Sequence, residues 1–369
     1  MRIVPGRLPF LAALAACGLA GCAGLPAAPP PAEAPVRVEL AIHADPDDCG
    51  DTIGNPDACG PGGTWDLAAV GAEAARRSLA SPRPVTVAAI DTGVDPAHPD
   101  LQAAILPMVD LVEEDDYQGP GGPAAYQGRD GNGHGTHVAG TILAVAGRDV
   151  VRILPVKAIG HTGTGDDDRI ARAIVAAVDW RDPSRPDVRV RAINLSIGGR
   201  TTSRQLGDAV RYAAAQDVVI VASSGNRGRG IDFPGTMPEV VAVGASNRDD
   251  ELTGYSNRGP ELALVAPGGD GAKGIYSTWP TYLTATDRKN AVQRPHSHAW
   301  MVGTSMAAPH VTGAAAMLLA KEPWLTARQV RDRLAASAID LGPIGPDPYF
   351  GAGLLAVDRA LASWGSDGR

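Results

Sequence analysis

The feature that most constrains the fold is an alternation of strand-like and helix-like segments that begins near residue 85. Short runs of β-branched and aliphatic residues predict strands at 85–90, 153–159, 192–196, 218–222 and 240–243. Longer segments predict helices at 166–180, 203–215, 304–320 and 326–336. Apolar strands that alternate with helices are typical of a buried parallel sheet. We therefore expect an α/β fold, doubly wound, in which helices flank a mostly parallel sheet.

Charge and composition narrow the class of protein. The 369 residues include 33 Lys and Arg against 41 Asp and Glu, which gives a net charge of −8. Proteins that bind nucleic acids usually carry a basic patch, and those that stack single strands need aromatic residues, which make up only 4% of this chain. We expect a weakly acidic globular protein that binds no nucleic acid.

The first 21 residues have the features of an export signal. Two arginines precede an apolar run, residues 8–20, that is too short to cross a membrane. The run leads into Leu-Ala-Gly-Cys at 19–22, which resembles the lipobox of bacterial lipoproteins, and a weaker match ends at Cys17. The resemblance implies a signal peptide over 1–21 and lipid on Cys22, with the protein anchored at the cell envelope (at the outer membrane if the organism has one). An ordinary secretory signal is the alternative.

Two short regions separate this signal from the sheet. Residues 22–35 are rich in Pro and Ala and are interpreted as a stiff tether. Residues 36–63 form a short extension that begins with the alternation of a half-buried strand. Its two cysteines, Cys49 and Cys59, are the only ones left beyond the lipobox, and in an exported protein we expect them to form a disulfide. The main domain is expected over 64–369.

Three loops at the ends of predicted elements carry an acid, an imidazole and a hydroxyl. Asp91 ends the first predicted strand in Asp-Thr-Gly-Val-Asp, His134 lies in Gly-Asn-Gly-His-Gly-Thr-His, and Ser305 lies in Gly-Thr-Ser-Met-Ala. Active sites of open parallel sheets lie beyond the carboxyl ends of the strands. A serine hydroxyl is a poor nucleophile until a base takes its proton, and that base needs an acid to fix its tautomer. Asp, His and Ser in this order are one known arrangement of the serine-hydrolase triad.

These blocks, with His-Pro-Asp-Leu at 98–101, resemble the signature motifs of the subtilisin-type serine proteases, the subtilase family, over about residues 65–360. The resemblance implies a subtilisin-like fold with a single catalytic domain. It also implies hydrolysis of peptide bonds through an acyl-enzyme. In that reaction Asp91 is the orienting acid, His134 the general base and Ser305 the nucleophile.

A fourth segment, Ser-Ser-Gly-Asn-Arg-Gly at 223–228, is similar to the oxyanion-hole loop of the family. The resemblance implies that Asn226 donates its side-chain amide to the oxyanion, together with the backbone N–H of Ser305. By the same resemblance, His137 and His310 are expected to be structural neighbours of the site.

The family resemblance also predicts how a substrate binds. A peptide is expected to lie extended and to pair as an added strand between two backbone segments, which are Gly163, Thr164, Gly165 and Ser196, Ile197, Gly198. Asp232 corresponds to a position near the base of the primary specificity pocket. A carboxylate there favours Lys or Arg in the substrate, unless the nearby Arg227 neutralises it. The expected partners are protein or peptide substrates, and we expect a monomer.

Two features depart from the family pattern. The loop at 144–151 is short and has Asp149 as its one carboxylate, so the sequence does not support the calcium site of the family there, and a structural calcium ion stays open only as the alternative. We identify no metal ligands and expect no required cofactor. Secreted members usually carry a propeptide of several tens of residues, for which the stretch from Cys22 to Trp65 leaves no room. We therefore expect the protein either to fold unaided or to give its short extension a different role. Residues 280–298 resemble an insertion whose histidines have no evident partners.

The motif residues also argue against two other classes of hydrolase and leave one alternative function. An esterase of the α/β-hydrolase type needs a Gly-x-Ser-x-Gly elbow and the order Ser, acid, His, whereas here Ser305 comes last. A metal hydrolase built on His134 and His137 lacks the glutamate of the zincin motif. A catalytically silent subtilase-fold binding protein remains as the alternative, although such a protein has typically lost a triad residue or Asn226.

Overall fold

The computed structural model describes residues 37–39, 43–44, 65–112, 117–201, 203–271 and 273–362. The strands are β1 (Arg37–Glu39), β2 (His43–Ala44), β3 (Val85–Asp91), β4 (Val109–Asp110), β5 (Val151–Lys157), β6 (Thr164–Asp166), β7 (Arg181–Asp182), β8 (Arg185–Leu195), β9 (Val219–Ser223), β10 (Val240–Ser246), β11 (Leu262–Pro267), β12 (Ile275–Thr278) and β13 (His298–Val302). The helices are α1 (Trp65–Ala69), α2 (Ala72–Ser78), α3 (His134–Ala146), α4 (Asp167–Asp179), α5 (Arg204–Ala215), α6 (Ala285–Lys289), α7 (Thr304–Lys321), α8 (Ala327–Ser337) and α9 (Val357–Leu361). The predicted lipidation site Cys22 and the predicted disulfide partners Cys49 and Cys59 lie outside the described residues.

The main sheet has the strand order β11-β10-β9-β8-β3-β5-β4, and every neighbouring pair in this order is parallel. Short β7 pairs antiparallel with β8. The chain passes from β3 to β5 on one side and then returns to β8 on the other, so the strand order reverses at β3. Ligands of open α/β sheets bind at such a reversal, beyond the carboxyl ends of the strands. Asp91 is the last residue of β3 and lies at this point.

Helices cover both faces of the sheet, and alternate residues of β3 show how. Val87 and Ala89 pack in one core with α3 and α7, whereas Ala88 and Ile90 pack in a second core with α4 and α5. Helix α7 is buried along almost its whole length, which suits its apolar sequence. The predicted doubly wound α/β fold of a single domain is confirmed.

Smaller sheets lie outside this frame. β12, β13 and β2 form an antiparallel sheet, and β1 pairs antiparallel with β6.

The predicted helices agree with α4, α5, α7 and α8 to within two residues at each end. Asp166 caps α4 by accepting from the Arg169 N–H, and Thr326 caps α8 with a capping box. Strands β2, β4, β6, β7, β11, β12 and β13 were not predicted.

Candidate active site

Asp91 and His134 meet where β3 ends and α3 begins. His134 Nδ1 lies 2.7 Å from Asp91 Oδ1, and both side chains are buried. The contact requires Gly135, because a Cβ at that position would collide with the carbonyl oxygen of Gly93. Since Nδ1 is held by the carboxylate, Nε2 is the ring nitrogen that remains to take up a proton, and it has no hydrogen-bond partner within the described part of the chain. This is the orientation that a general base needs.

Asp130 organises the loop that carries His134. Its carboxylate is fully buried and accepts five hydrogen bonds of 2.7–2.9 Å, donated by the N–H groups of Asn132, Gly133 and Thr136 and by the hydroxyls of Thr92 and Thr136. Burial raises the pKa of Asp130, and these hydrogen bonds oppose the rise. The sequence reasoning missed this residue. An Asp followed closely by Asn and Gly just before a helix is a turn signal that could have found it.

Ser305 is the second residue of α7 and is held by Ser196. Pro309 has no N–H, so the carbonyl of Ser305 lacks its usual helical donor, and the hydroxyl of Ser196 donates to it instead at 2.7 Å. In return, Ser305 Oγ donates to the carbonyl of Ser196 at 3.0 Å. For nucleophilic attack the Ser305 hydroxyl has to exchange this bond for one to His134 Nε2. Such tightening on substrate binding is common in sites without substrate.

The orientation of Asn226 is fixed by its neighbours. Its Oδ1 accepts from the backbone N–H of Thr304 at 2.8 Å and from the Thr304 hydroxyl at 2.9 Å. A backbone N–H can only donate, so the atom facing it must be the amide oxygen rather than the nitrogen. The Thr304 hydroxyl also accepts from the N–H of Gly225 at 3.2 Å. Asn226 therefore has its NH₂ group left to donate elsewhere, as an oxyanion-hole residue must.

The two segments expected to pair with substrate each follow a strand of the main sheet. Thr164 and Gly165 lie in β6, directly after Gly163, whose φ of 76° is a left-handed conformation that favours glycine. Strand β6 comes after β5 and already pairs with the chain's own β1. The second segment, Ser196 to Gly198, follows β8, and Ser196 joins it to the nucleophile. Ile197 between them is buried.

Asp232 is buried and forms an ion pair with Arg227. Burial raises the pKa of Asp232, and the Arg227 guanidinium opposes the rise. Gly198 makes room for this carboxyl group, since a Cβ there would lie 2.9 Å from the Asp232 Cβ. The charge of Asp232 is thus already compensated within the protein.

The histidines of the 280–298 insertion do have partners, so that expectation was wrong. His296 Nε2 lies 3.1 Å from Asp287 Oδ1, and His298 Nε2 lies 3.3 Å from Asp100 Oδ2. Burial alone would lower the pKa of His296, but its hydrogen bonds to Asp287 and to the His298 carbonyl overcome this and raise it. The partner of His298 is far away in sequence, which is why no local pattern revealed it.

The insertion also supports the catalytic loops. Asp95 accepts from the N–H and the hydroxyl of Thr281 at 2.9 and 2.7 Å. The Tyr282 hydroxyl accepts from the N–H of Asp130 at 3.1 Å and donates to its carbonyl at 3.0 Å. Residues 280–298 are therefore attached to both the loop after β3 and the loop before α3.

One cluster of possible metal ligands occurs among the described residues, formed by His98, Asp100 and His298. Both ring nitrogens of His98 are already engaged, with Nε2 at 2.8 Å from the Ser297 carbonyl and Nδ1 accepting from the N–H of Asp100 at 3.1 Å. A metal would have to displace one of these bonds. The expectation that no calcium or cofactor is required stays a prediction.

The two remaining histidines of the motifs have structural contacts. His137 Nε2 lies 3.0 Å from the Ile275 carbonyl, and burial lowers the pKa of His137 to about 3, so the ring is neutral at physiological pH. His310 lies between the Met306 carbonyl and Asp66, at 2.8 and 3.0 Å, and both its ring nitrogens are engaged. His310 therefore offers no free ring nitrogen to a substrate. His137 has only its Nδ1 unpaired, and that atom is buried.

A groove outside the site lies between α4 and α5. It has a volume of about 980 Å³ and contains none of the triad residues.

Across the described ranges, no helix combines the length and the apolarity that crossing a bilayer requires.

Comparisons with known proteins show which family the chain resembles. The family model described as "Subtilase family" matches residues 83–353. Subtilisin DY of Bacillus licheniformis is 35% identical over 288 residues, which cover 75% of this chain and 90% of the relative. The minor extracellular protease Epr of Bacillus subtilis (strain 168) is 32% identical over 313 residues, covering 81% of this chain and 42% of the relative. A crystal structure of a lanthipeptide protease superposes with a TM-score of 0.66 at 29% identity, covering 81% of this chain and 93% of the other. The chain belongs to the subtilase family and is a subtilisin-like serine endopeptidase.

Proposed function

We propose that the protein hydrolyses peptide bonds of other proteins through an Asp91–His134–Ser305 triad and an acyl-enzyme, at the cell envelope. The observation that carries the proposal is the buried 2.7 Å contact between Asp91 and His134, which leaves Nε2 as the only ring nitrogen able to act on Ser305. His310, by contrast, has both of its ring nitrogens engaged in structural contacts. A buried nitrogen without a partner costs stability, and a catalytic role accounts for that cost at His134, whose other ring nitrogen is held by an acid. His137 Nδ1 is also buried and unpaired, but the other nitrogen of that ring lies against the Ile275 carbonyl and not against a carboxylate.

The reaction follows from these positions. His134 Nε2 takes the proton of Ser305 as Oγ attacks the substrate carbonyl, and Asp91 stabilises the imidazolium that forms. The oxyanion accepts hydrogen bonds from the Asn226 amide and from the Ser305 N–H. His134 then gives its proton to the leaving amine, and water hydrolyses the acyl-enzyme by the same steps in reverse. The triad residues supply all the acid–base steps in this scheme.

The test is covalent labelling by a fluorophosphonate, which reacts with activated serines. We expect one adduct on Ser305 in the folded wild type and none in Ser305→Ala, as read by peptide mass spectrometry. The matched control is Ser184→Ala, which removes an exposed serine far from the triad in sequence and should keep full labelling of Ser305. A folded wild type that takes no adduct would favour the alternative of a catalytically silent binding protein.

We propose further that the protein is exported and held by lipid on Cys22. The lipobox-like sequence at 19–22 supports this, and so does the kinship with a protease named as extracellular. Labelling of cells with a radioactive fatty acid should mark the wild type and not Cys22→Ser, whereas label that persists in Cys22→Ser would refute the anchor.

We also propose a disulfide between Cys49 and Cys59. A mass shift on reduction and alkylation would detect this disulfide.

The ion pair between Arg227 and Asp232 determines the substrate preference that we propose for the primary specificity pocket. Because Arg227 pairs with Asp232, we expect no marked preference for Lys or Arg at the primary position. Peptides that differ only in Lys, Phe or Leu at that position measure this directly. A large preference for Lys over Phe, beyond about tenfold or 1.4 kcal/mol, would show that Asp232 acts as a free carboxylate.

A further inference from the structure

His98, Asp100 and His298 bring two imidazoles and a carboxylate together from segments that are distant in sequence. One ring nitrogen or carboxylate oxygen from each of the three lies within 4.8 Å of the other two. His98 and Asp100 belong to the segment that follows β3, and His298 is the first residue of β13. Histidine nitrogens and carboxylate oxygens are ligands that zinc takes in proteins.

The spacing of two of these atoms suits a tetrahedral ion. Zinc forms bonds of about 2.0–2.2 Å with nitrogen and oxygen ligands, and the corners of a tetrahedron are about 1.6 times the bond length apart. Two ligands of one zinc ion are therefore separated by about 3.3–3.6 Å. His298 Nε2 lies 3.3 Å from Asp100 Oδ2, so these two atoms need little movement to hold an ion between them.

The hydrogen bonds of His98 leave a lone pair on the nitrogen next to Asp100. His98 Nε2 lies 2.8 Å from the Ser297 carbonyl, which can only accept, so Nε2 carries the ring proton. His98 Nδ1 accepts from the N–H of Asp100 at 3.1 Å, so Nδ1 carries no proton. A metal on Nδ1 would displace only this long bond. Asp100 is exposed, so water can replace the acceptor that its N–H would lose.

Ser297 holds the far side of both rings. Its carbonyl contacts His98 Nε2, and its hydroxyl lies 3.1 Å from His298 Nδ1. A hydroxyl both donates and accepts, so it can accept from Nδ1–H when His298 Nε2 binds a metal. The ring of His298 also stacks on Tyr276, with ring centroids 5.2 Å apart. Metal-binding histidines are usually oriented in this way, through the nitrogen that does not touch the metal.

The cluster opens to solvent on the side of Asp100. The Asp100 side chain is 55% exposed and that of His298 is 24% exposed, whereas His98 is buried. An ion can therefore enter from the surface, and water can supply a fourth ligand, as it does in zinc sites with three protein ligands. Calcium prefers about six to eight oxygen ligands, which two histidines do not provide.

We propose that His98 Nδ1, Asp100 Oδ2 and His298 Nε2 bind a zinc ion, with water as the fourth ligand. The ion joins the segment after β3, whose last residue is Asp91, to β13, which leads towards Ser305. It stabilises the domain and takes no part in the acid–base steps of the triad. The proposal does not depend on peptide hydrolysis.

Calorimetric titration of the full chain with zinc tests the site. The protein carries Ser305→Ala, so that it cannot digest itself, and its free thiols are alkylated first because thiolates also bind zinc. We expect one zinc ion per chain and a midpoint of thermal unfolding that rises by about 3–8 °C at saturating zinc. Zinc that fails to bind at about 1 mM, or calcium that binds as tightly as zinc, would overturn the proposal.

Three variants assign the ligands. His298→Gln and Asp100→Asn should each weaken zinc binding at least about tenfold. Asp100→Asn changes an exposed side chain and should keep the fold, so its result does not depend on whether His298→Gln folds. The matched control is His161→Gln, which removes a histidine outside the cluster and should change the Kd less than about threefold. Equal losses in His161→Gln and His298→Gln, or an unchanged Kd in Asp100→Asn, would overturn the proposal.

Cobalt reports the geometry of the site. Co²⁺ binds the same kinds of nitrogen and oxygen ligands as zinc. A tetrahedral cobalt ion absorbs visible light much more strongly than an octahedral one, and thiolate ligands add a band in the near ultraviolet. We expect strong visible bands without the thiolate band, and we expect them to disappear in His298→Gln. A weak octahedral spectrum, or a thiolate band, would overturn the assignment of these ligands.

Discussion

Replacing Asp130 tests whether this buried carboxylate holds the histidine loop together. In Asp130→Ala, the N–H groups of Asn132, Gly133 and Thr136 lose their acceptor. An unsatisfied buried donor costs about 1–3 kcal/mol, so three of them lower the free energy of unfolding by about 3–9 kcal/mol. That is a large part of the roughly 5–15 kcal/mol of a typical domain.

The conservative variant Asp130→Asn separates charge from geometry. Its amide oxygen can replace Oδ1, but its nitrogen then faces the N–H of Thr136, which is left without an acceptor. We expect a loss of about 1–3 kcal/mol, together with a lower kcat because the start of α3 carries His134. Relief of the desolvation of the charge offsets part of this loss.

Urea unfolding followed by circular dichroism measures both variants, in a Ser305→Ala background that prevents self-digestion. The exposed Asp187→Asn is the control, and we expect it to stay within about 0.5 kcal/mol of the parent. A loss below about 1 kcal/mol in Asp130→Ala would refute the reasoning, because three buried donors without an acceptor would cost more than that.

The other predictions concern single contacts. Asn226→Ala should lower kcat by about 10²–10³ with KM little changed, a magnitude known from a subtilisin and carried over by kinship; a loss below about fivefold in peptide assays would exclude the amide from the oxyanion hole. Arg227→Ala removes the ion pair of Asp232 and raises the pKa of that carboxyl group further, so at a pH above this pKa it should raise kcat/KM for Lys over Phe substrates relative to wild type, and a ratio that stays unchanged throughout the alkaline range would show that Asp232 does not face the pocket. His296→Gln should reduce stability most at about pH 5–6, because a raised histidine pKa stabilises the fold below its ordinary value of 6.5 and this gain is lost as the pH rises through the folded value. Urea unfolding at several pH values measures this, and a difference between His296→Gln and its parent that grows from about pH 6 to about pH 8 would contradict the pairing with Asp287.

The repeating part of the fold could be predicted because its signals are local. The apolar run that ends at Asp91 and the caps at Asp166 and Thr326 each mark an element within a few residues of sequence. The motifs around His134 and Ser305 are local in the same way. The position of the site at the carboxyl end of β3 then follows from the topology of a parallel sheet.

The features that the sequence analysis missed depend on contacts between segments that are distant along the chain. β12 and β13 have few residues each and are defined by pairing with one another. The partner of His298 is Asp100, almost two hundred positions earlier. Asp130 accepts hydrogen bonds from Thr92 in the loop after β3 and from Asn132 and Thr136 near the start of α3. No rule of sequence spacing links all these donors to the acid. Such contacts are fixed by the packed fold, so a pattern along the chain cannot report them.

The burial of α7 has a consequence for how the enzyme loses activity. Because this helix lies in the interior and carries Ser305 on its first turn, water reaches its amide groups only when the cores on the sheet open. Exchange of its amide protons with solvent should therefore require global unfolding, so their protection reports the free energy of unfolding of the whole domain, unlike that of a loop-borne site. The nucleophile is then among the last parts of the molecule to melt, and heat inactivation should coincide with loss of the whole fold.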